Sequence, residues 1–189
     1  GPGRAMSCSQ LEGGIGTASR VVDIADRYYT VGALVQANMG KLADLRWGGL
    51  PVGAVLQQRL HAKEQQAALG NGVDKGSIIM LLATDAPLDS RQLTRVARRA
   101  AAGLAHTGSC YGHGSGDIAL AFSCAYTQPA DVNEPMPAMA MLHETQLDPL
   151  FRAASDAVEQ AIYHAMWHAQ TVQGRDGHRR WGWQDLWKD

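Results

Sequence analysis

Apolar positions along the chain change their period several times, and each change marks an element. Residues 16–24 (GTASRVVDI) and 29–38 (YTVGALVQAN) are rich in β-branched side chains and flank the turn-like Ala25-Asp26-Arg27, so they read as a β-hairpin. In the second strand Val31, Ala33, Val35 and Ala37 fall on one face, and Gly32, Leu34, Gln36 and Asn38 on the other. Gly48-Gly49 and Pro51-Val52-Gly53 punctuate the chain, and residues 53–68 read as a short helix stopped by Gly70-Asn71-Gly72. Ser77 to Thr84 (SIIMLLAT) is an unbroken apolar run too short for a helix, which predicts a strand buried on both faces.

Helical spacing then takes over. Asp89 is placed as an N-cap with Gln92 completing a capping box, and Leu93, Val96, Ala97, Ala100 and Leu104 recur on one face up to Gly108. Ile118, Leu120 and Phe122 alternate with alanines, predicting a strand with one large-residue and one small-residue face. Residues 127–146 hold three prolines and read as a loop. Asp148-Pro149 reads as a cap followed by a first-turn proline, and Leu150, Ala154, Ala157, Val158, Ala161, Ile162, Ala165 and Ala169 carry a long helix to Gly174. The order β-β-α-β-α-β-α predicts an α+β layered fold with helices packed on sheet, in a single domain over 1–189 and without internal repeats.

Composition narrows the picture further. The 189 residues, 46% hydrophobic and 19% charged, are enough for one sizeable core. A net charge of −1 leaves no electrostatic footprint for nucleic acid or an anionic membrane, and no run reaches the length of a membrane-spanning helix. Compartment stays open between the cytoplasm and periplasm of a bacterial-type soluble protein. Cys8, Cys110 and Cys124 show no CxxC spacing, which argues against a disulfide framework or a zinc ribbon.

Three segments could carry chemistry. At Gly76-Ser77 a serine opens a strand after a glycine-bearing loop (residues 72–76, GVDKG), and the glycine offers no Cβ to obstruct attack on its own carbonyl. Cleavage there leaves Ser77 with an α-amine, which titrates near pH ~8 and can serve as the serine's base. In His113-Gly-Ser115-Gly-Asp117 an extended backbone would place an imidazole, a hydroxyl and a carboxylate on one face. Asn38, at the end of its strand, could donate to an oxyanion. Taken singly, each segment is also what an ordinary polar turn looks like. His164 and His168 have the spacing of two zinc ligands, but no third ligand or adjacent glutamate accompanies them, so no metal is assigned. Residues 14–19 (GIGTAS) lack the third glycine of a dinucleotide loop and stand before a strand. Arg95, Arg98 and Arg99 read as a solvated helix face.

Together, GGIGTASR (13–20), YTVGALVQAN (29–38), GSII (76–79), ATDAPL (83–88), ARRA (97–100), HGSGDI (113–118), AFS (121–123) and GRDG (174–177) occur in an order that resembles the L-aminopeptidase D-esterase (DmpA-type) and β-aminopeptidase family. The resemblance covers nearly the whole chain and corresponds to the C-terminal half of family members, which are about twice as long. It implies a four-layered αββα fold of the N-terminal-nucleophile type, here without its N-terminal half and without a tyrosine that half contributes. It also implies self-cleavage into 1–76 and 77–189, a homotetramer and no cofactor. Carried over by position, Ser77 is the nucleophile, Asn38 the oxyanion donor, and Ser115 and Asp117 assist around the nucleophile and its amine; His113 receives no role. The expected substrate is a peptide, amide or ester with a free amine, which Asp117 could receive, and Gly76 with Asp at 117 tilts the expectation toward α-amino over β-amino substrates. Two alternatives are weighed: a non-catalytic assembly subunit, and an acyltransferase of the ornithine acetyltransferase type, whose usual threonine nucleophile Ser77 does not match. The tail tryptophans Trp181, Trp183 and Trp187 depart from the family pattern and read as packing residues.

Overall fold

The computed structural model describes residues 6–63, 76–174, 177 and 179–187. Two short paired strands, β1 (Ser7–Cys8) and β2 (Leu11–Glu12), lead into a long hairpin of β3 (Gly14–Ile24) and β4 (Arg27–Asn38). The hairpin turn is tighter than its sequence suggests. Arg27 joins the strand, and Ala25 and Asp26 alone make the turn with φ of 52° and 60°. Two consecutive left-handed residues give a turn twist that matches the right-handed twist of the strands.

Gly48-Gly49 joins the two-residue strands β5 (Arg46–Trp47) and β6 (Leu50–Pro51), again with both turn residues at positive φ. Helix α1 (Gly53–Lys63) follows. The helix expected to run to 68 is thus seen to Lys63, and residues 64–68, the 70–72 stop and the loop 72–75 lie outside the described residues. Strand β7 (Ser77–Thr84) pairs antiparallel with β4, helix α2 (Ser90–His106) crosses over, and β8 (Gly116–Ser123) returns parallel to β7. The resulting sheet has the order β3-β4-β7-β8.

Asp89 and Gln92 form the expected capping box at the start of α2. Arg95 and Arg99 correct the solvated-face reading: both guanidinium groups lie over the Phe151 ring, at 5.0 and 4.2 Å, and Arg95 also binds Glu144. Helix α3 (Asp148–Trp167) corrects two expectations. Its N-cap is Leu147, reached through a 3₁₀ turn at Glu144–Gln146, and Asp148 is already helical with Pro149 in the first turn. It ends at Trp167 rather than near Gly174, because residues 172–173 become β9 (Val172–Gln173), which pairs with β10 (Arg179–Arg180). A last short helix, α4 (Trp183–Trp187), closes the chain.

Both long helices lie on one face of the sheet, where Val31, Val35, Ala37, Ile78, Met80 and Leu82 meet Ala100, Leu104, Val158 and Ile162 in the core. The approach is close: a Cβ on Gly16 of β3 would stand 1.9 Å from the Ala161 carbonyl oxygen of α3. The other sheet face is left uncovered by the described residues. Ile15, Leu34, Ile79, Ile118, Leu120 and Phe122 are exposed on it, so β7 is buried on one face only, and β8 turns its large residues outward and its alanines toward α2. The apolar run of β7 encodes two apolar faces, but the described helices cover just one. These residues therefore build one sheet and one helical layer of the four expected. Trp183 is buried and stacks on Trp47 at 4.1 Å, and Trp47 stacks in turn on Tyr163 at 4.4 Å, so this part of the tail is packing. No described helix is long and apolar enough to cross a membrane.

Candidate active site

The register of the central strands brings the sequence candidates into one row. Ser77, the first residue of β7, is paired with Asn38 on one side and Gly116 on the other. Directly opposed residues of antiparallel strands have Cβ atoms about 5 Å apart and share a face. Ser77 and Asn38 therefore project together from the uncovered face, Ser77 exposed and Asn38 half-buried. The Ser7 backbone N–H donates to Asn38 Oδ1 at 2.8 Å. That bond identifies the acceptor end of the amide and leaves its NH2 group as the donor beside the serine.

Gly116 sets the room on the other flank. A Cβ there would lie 3.3 Å from Ser77 Oγ, tight enough to crowd the hydroxyl, and the Gly116 N–H donates to the Gly76 carbonyl at 3.2 Å. Ser115 Oγ donates to Asp117 Oδ1 at 2.7 Å, so these two candidates do meet. Asp117, however, is registered with Ile78, one step along from Ser77, and its side chain sits on the helix-layer side with Ala119 and Ala121. It flanks the serine's backbone rather than its hydroxyl. His113 leaves the row altogether. The Ser115 N–H closes a turn on the Gly112 carbonyl at 2.9 Å, the segment is not extended, and His113 is exposed. Tyr111, left-handed at φ 54°, lies close enough to feel Asp117. Burial, and then that carboxylate, push its phenol up to about 12.

Sequence reasoning missed Ser7, Gly116 and Tyr111. The spacing of Gly114 and Gly116 around Ser115 was the available sign for Gly116; Ser7 and Tyr111 reach the site through tertiary packing, which no local pattern announces. His164 Nδ1 lies 2.7 Å from the Thr17 carbonyl, and no cluster of three or more metal-ligating side chains occurs among the described residues.

A serine at the head of a central strand, with an amide on one side and a glycine on the other, is thus the row that this α+β fold assembles. Residues 1–180 match Peptidase family S58, and the chain belongs to that family. It is 41% identical over 184 residues to the β-peptidyl aminopeptidase BapA of Sphingosinicella microcystinivorans, covering 94% of this chain and 46% of that protein. Among solved structures it is similar to the PH0078 protein of Pyrococcus horikoshii OT3, with a TM-score of 0.83, 43% identity, and coverage of 97% and 48%. It is also similar to the L-aminopeptidase D-Ala-esterase/amidase of Ochrobactrum anthropi, described as a prototype of the serine aminopeptidases and a variant of the Ntn hydrolase fold. There the TM-score is 0.81 at 37% identity, covering 95% of this chain and 47% of that one. The chain thus spans about half the length of the relatives it matches.

Proposed function

We propose that this chain is the C-terminal part of an aminopeptidase that removes N-terminal residues from peptides and amides, with Ser77 as an N-terminal nucleophile. The row Asn38–Ser77–Gly116 carries the reading: a hydroxyl at a strand head, an amide donor on the same face and a glycine that leaves space for a carbonyl. The family membership and the aminopeptidase names of its relatives support it.

In maturation, Ser77 Oγ attacks the Gly76 carbonyl carbon, the C–N bond breaks, and water hydrolyses the resulting ester. The products are 1–76, ending in a carboxylate, and 77–189, beginning with an α-amine. In turnover the amine takes the Ser77 proton as Oγ adds to the substrate carbonyl, and the Asn38 NH2 group donates to the oxyanion. The amine then passes the proton to the departing nitrogen, and water releases the acyl group. Asp117, oriented by Ser115 and lying on the serine's backbone side, suits holding the ammonium form of that amine. The apolar uncovered face fits the second sheet of a four-layered sandwich supplied by the rest of a longer protein, and a homotetramer follows from the family resemblance.

Intact mass tests the reading. The protein should show two chains separated at Gly76-Ser77, whose masses sum to the precursor plus one water, and Ser77→Ala should show one. A Ser77→Ala variant that still splits at that bond removes the serine from the mechanism.

A further inference from the structure

The end of β4 is held from outside the sheet by the short strand pair that precedes it. The Ser7 N–H reaches Asn38 Oδ1 at 2.8 Å, the Ser9 N–H reaches the Met39 carbonyl at 2.7 Å, and the Leu42 N–H reaches Gln10 Oε1 at 3.2 Å. β1 and β2 are two residues each, too short to hold a shape alone, and Ser9 and Gln10 turn between them at φ of 49° and 64°. Their position therefore depends on what they are tied to. One tie comes from the far end of the chain. The Arg180 guanidinium, on β10, donates to Ser7 Oγ at 2.8 Å across 173 residues of sequence. The Glu12 N–H, opposite Ser7 in the β1–β2 pair, donates to the Trp181 carbonyl at 2.8 Å.

We infer that Arg180 is a positioning residue for the oxyanion donor: through Ser7 it fixes the Asn38 amide with its NH2 group toward Ser77. The inference rests on the N-terminal-nucleophile reading with Asn38 as donor. An asparagine amide turns about its last side-chain bond and its two ends differ in chemistry, so a donor role needs something that selects one orientation. The Ser7 backbone N–H can only donate, and it therefore selects the orientation with Oδ1 toward β1. A hydrogen bond accepted at Oδ1 also polarises the amide and strengthens its N–H groups as donors. Arg180 grips the same residue by its hydroxyl, and a guanidinium stays charged at every working pH, so this tie is permanent. Cleavage after Gly76 gives the contact a further role. Ser7 and Asn38 then belong to one chain, and Ser77 and Arg180 to the other. The tail that carries Arg180 thus ties the donor's support to the chain that carries the nucleophile.

The test is a double-mutant cycle on the complete protein with alanine p-nitroanilide, read as kcat per cleaved, folded chain. Arg180→Met should lower kcat about tenfold with KM little changed. That is less than the about 100- to 1,000-fold of a lost donor, because the amide is loosened and not removed. Ser7→Ala, which removes just the oxygen that Arg180 grips, should do the same, and it carries the test where Arg180→Met does not fold. In an Asn38→Ala background neither substitution should lower kcat further, since the group they position is gone. A merely structural contact would lower kcat alike in both backgrounds, or lower the yield of folded protein and leave kcat alone. Either result overturns the assignment while leaving the aminopeptidase reading intact. An Asn38→Ala protein with parental kcat removes the donor on which the inference rests. A parent protein that does not turn over the probe overturns the aminopeptidase reading and this one with it.

Discussion

Replacing Asn38 by aspartate separates catalysis from structure at one position. The asparagine has two jobs that use opposite ends of its amide: Oδ1 accepts the Ser7 N–H at 2.8 Å, and NH2 is the donor proposed for the oxyanion. Aspartate keeps the acceptor, so the tie to β1 survives, but it puts a carboxylate where the donor stood. Alanine loses both. A neutral hydrogen bond contributes about 1 kcal/mol to stability, so Asn38→Ala should lower thermal stability by that order and Asn38→Asp by less. An oxyanion donor is worth far more to turnover, about 100- to 1,000-fold or roughly 2.7–4 kcal/mol. Both variants should therefore lose kcat to that extent on alanine p-nitroanilide, with KM little changed, because the bond tightens mainly in the transition state. Aspartate should be at least as slow as alanine, since it sets negative charge against developing negative charge. The assay is steady-state kinetics on protein shown by mass to be cleaved and by thermal melting to be folded. A kcat within about threefold of the parent in folded, cleaved Asn38→Asp is outside the range of a lost oxyanion donor and would refute the assignment.

Asp117→Asn should impair turnover more than it impairs cleavage at Gly76-Ser77, because the ammonium group it is proposed to hold exists only after cleavage; the readout is kcat/KM beside the rate of appearance of the two chains, and an equal loss in both would count against it. Gly16→Ala should cost about 1–3 kcal/mol by denaturant titration, because the added methyl meets rigid α3 backbone, 1.9 Å from the Ala161 oxygen and 2.5 Å from the Ala165 nitrogen. Glu144 is bound by Arg91, Gln92 and Arg95 and its carboxyl is held below the ordinary glutamate value, first by the Arg91 hydrogen bond. Its contribution is therefore present at neutral pH and lost as pH falls through that lowered value. Melting curves from pH 7 to pH 3 should show a shallower acid loss in Glu144→Gln than in the parent.

Elements were legible where one face decides the pattern. The Asp89–Gln92 capping box and the alternation of β4 appear where the sequence places them, because both are written within a few residues. The misreadings have a common cause in packing across the chain. Ala169 continues the helical spacing of α3 by coincidence, while the pairing of residues 172–173 with 179–180 ends that helix. In the site, Ser77 and Asn38 could be named from the chain, yet their adjacency depends on the β4–β7 register, which neither segment encodes alone. A period-2 argument groups His113 with Ser115 and Asp117, but the 112–115 turn breaks that period before the strand begins.

The uncovered face of the sheet ties the fold to the site. Ile15, Leu34, Ile79, Ile118, Leu120 and Phe122 keep between 37% and 56% of their surface exposed on it. At about 1.5–3 kcal/mol for complete burial of such a side chain, covering what remains exposed is worth roughly 4–8 kcal/mol. That is comparable to the whole net stability of an ordinary domain, about 5–15 kcal/mol. A surface of this kind is rare on isolated soluble proteins and marks an interface. Ser77 projects from the same face, one pleat from Ile79. Whatever layer covers the apolar residues therefore also walls the side from which Ser77 projects, so burial of that face and completion of the row Asn38–Ser77–Gly116 are one event.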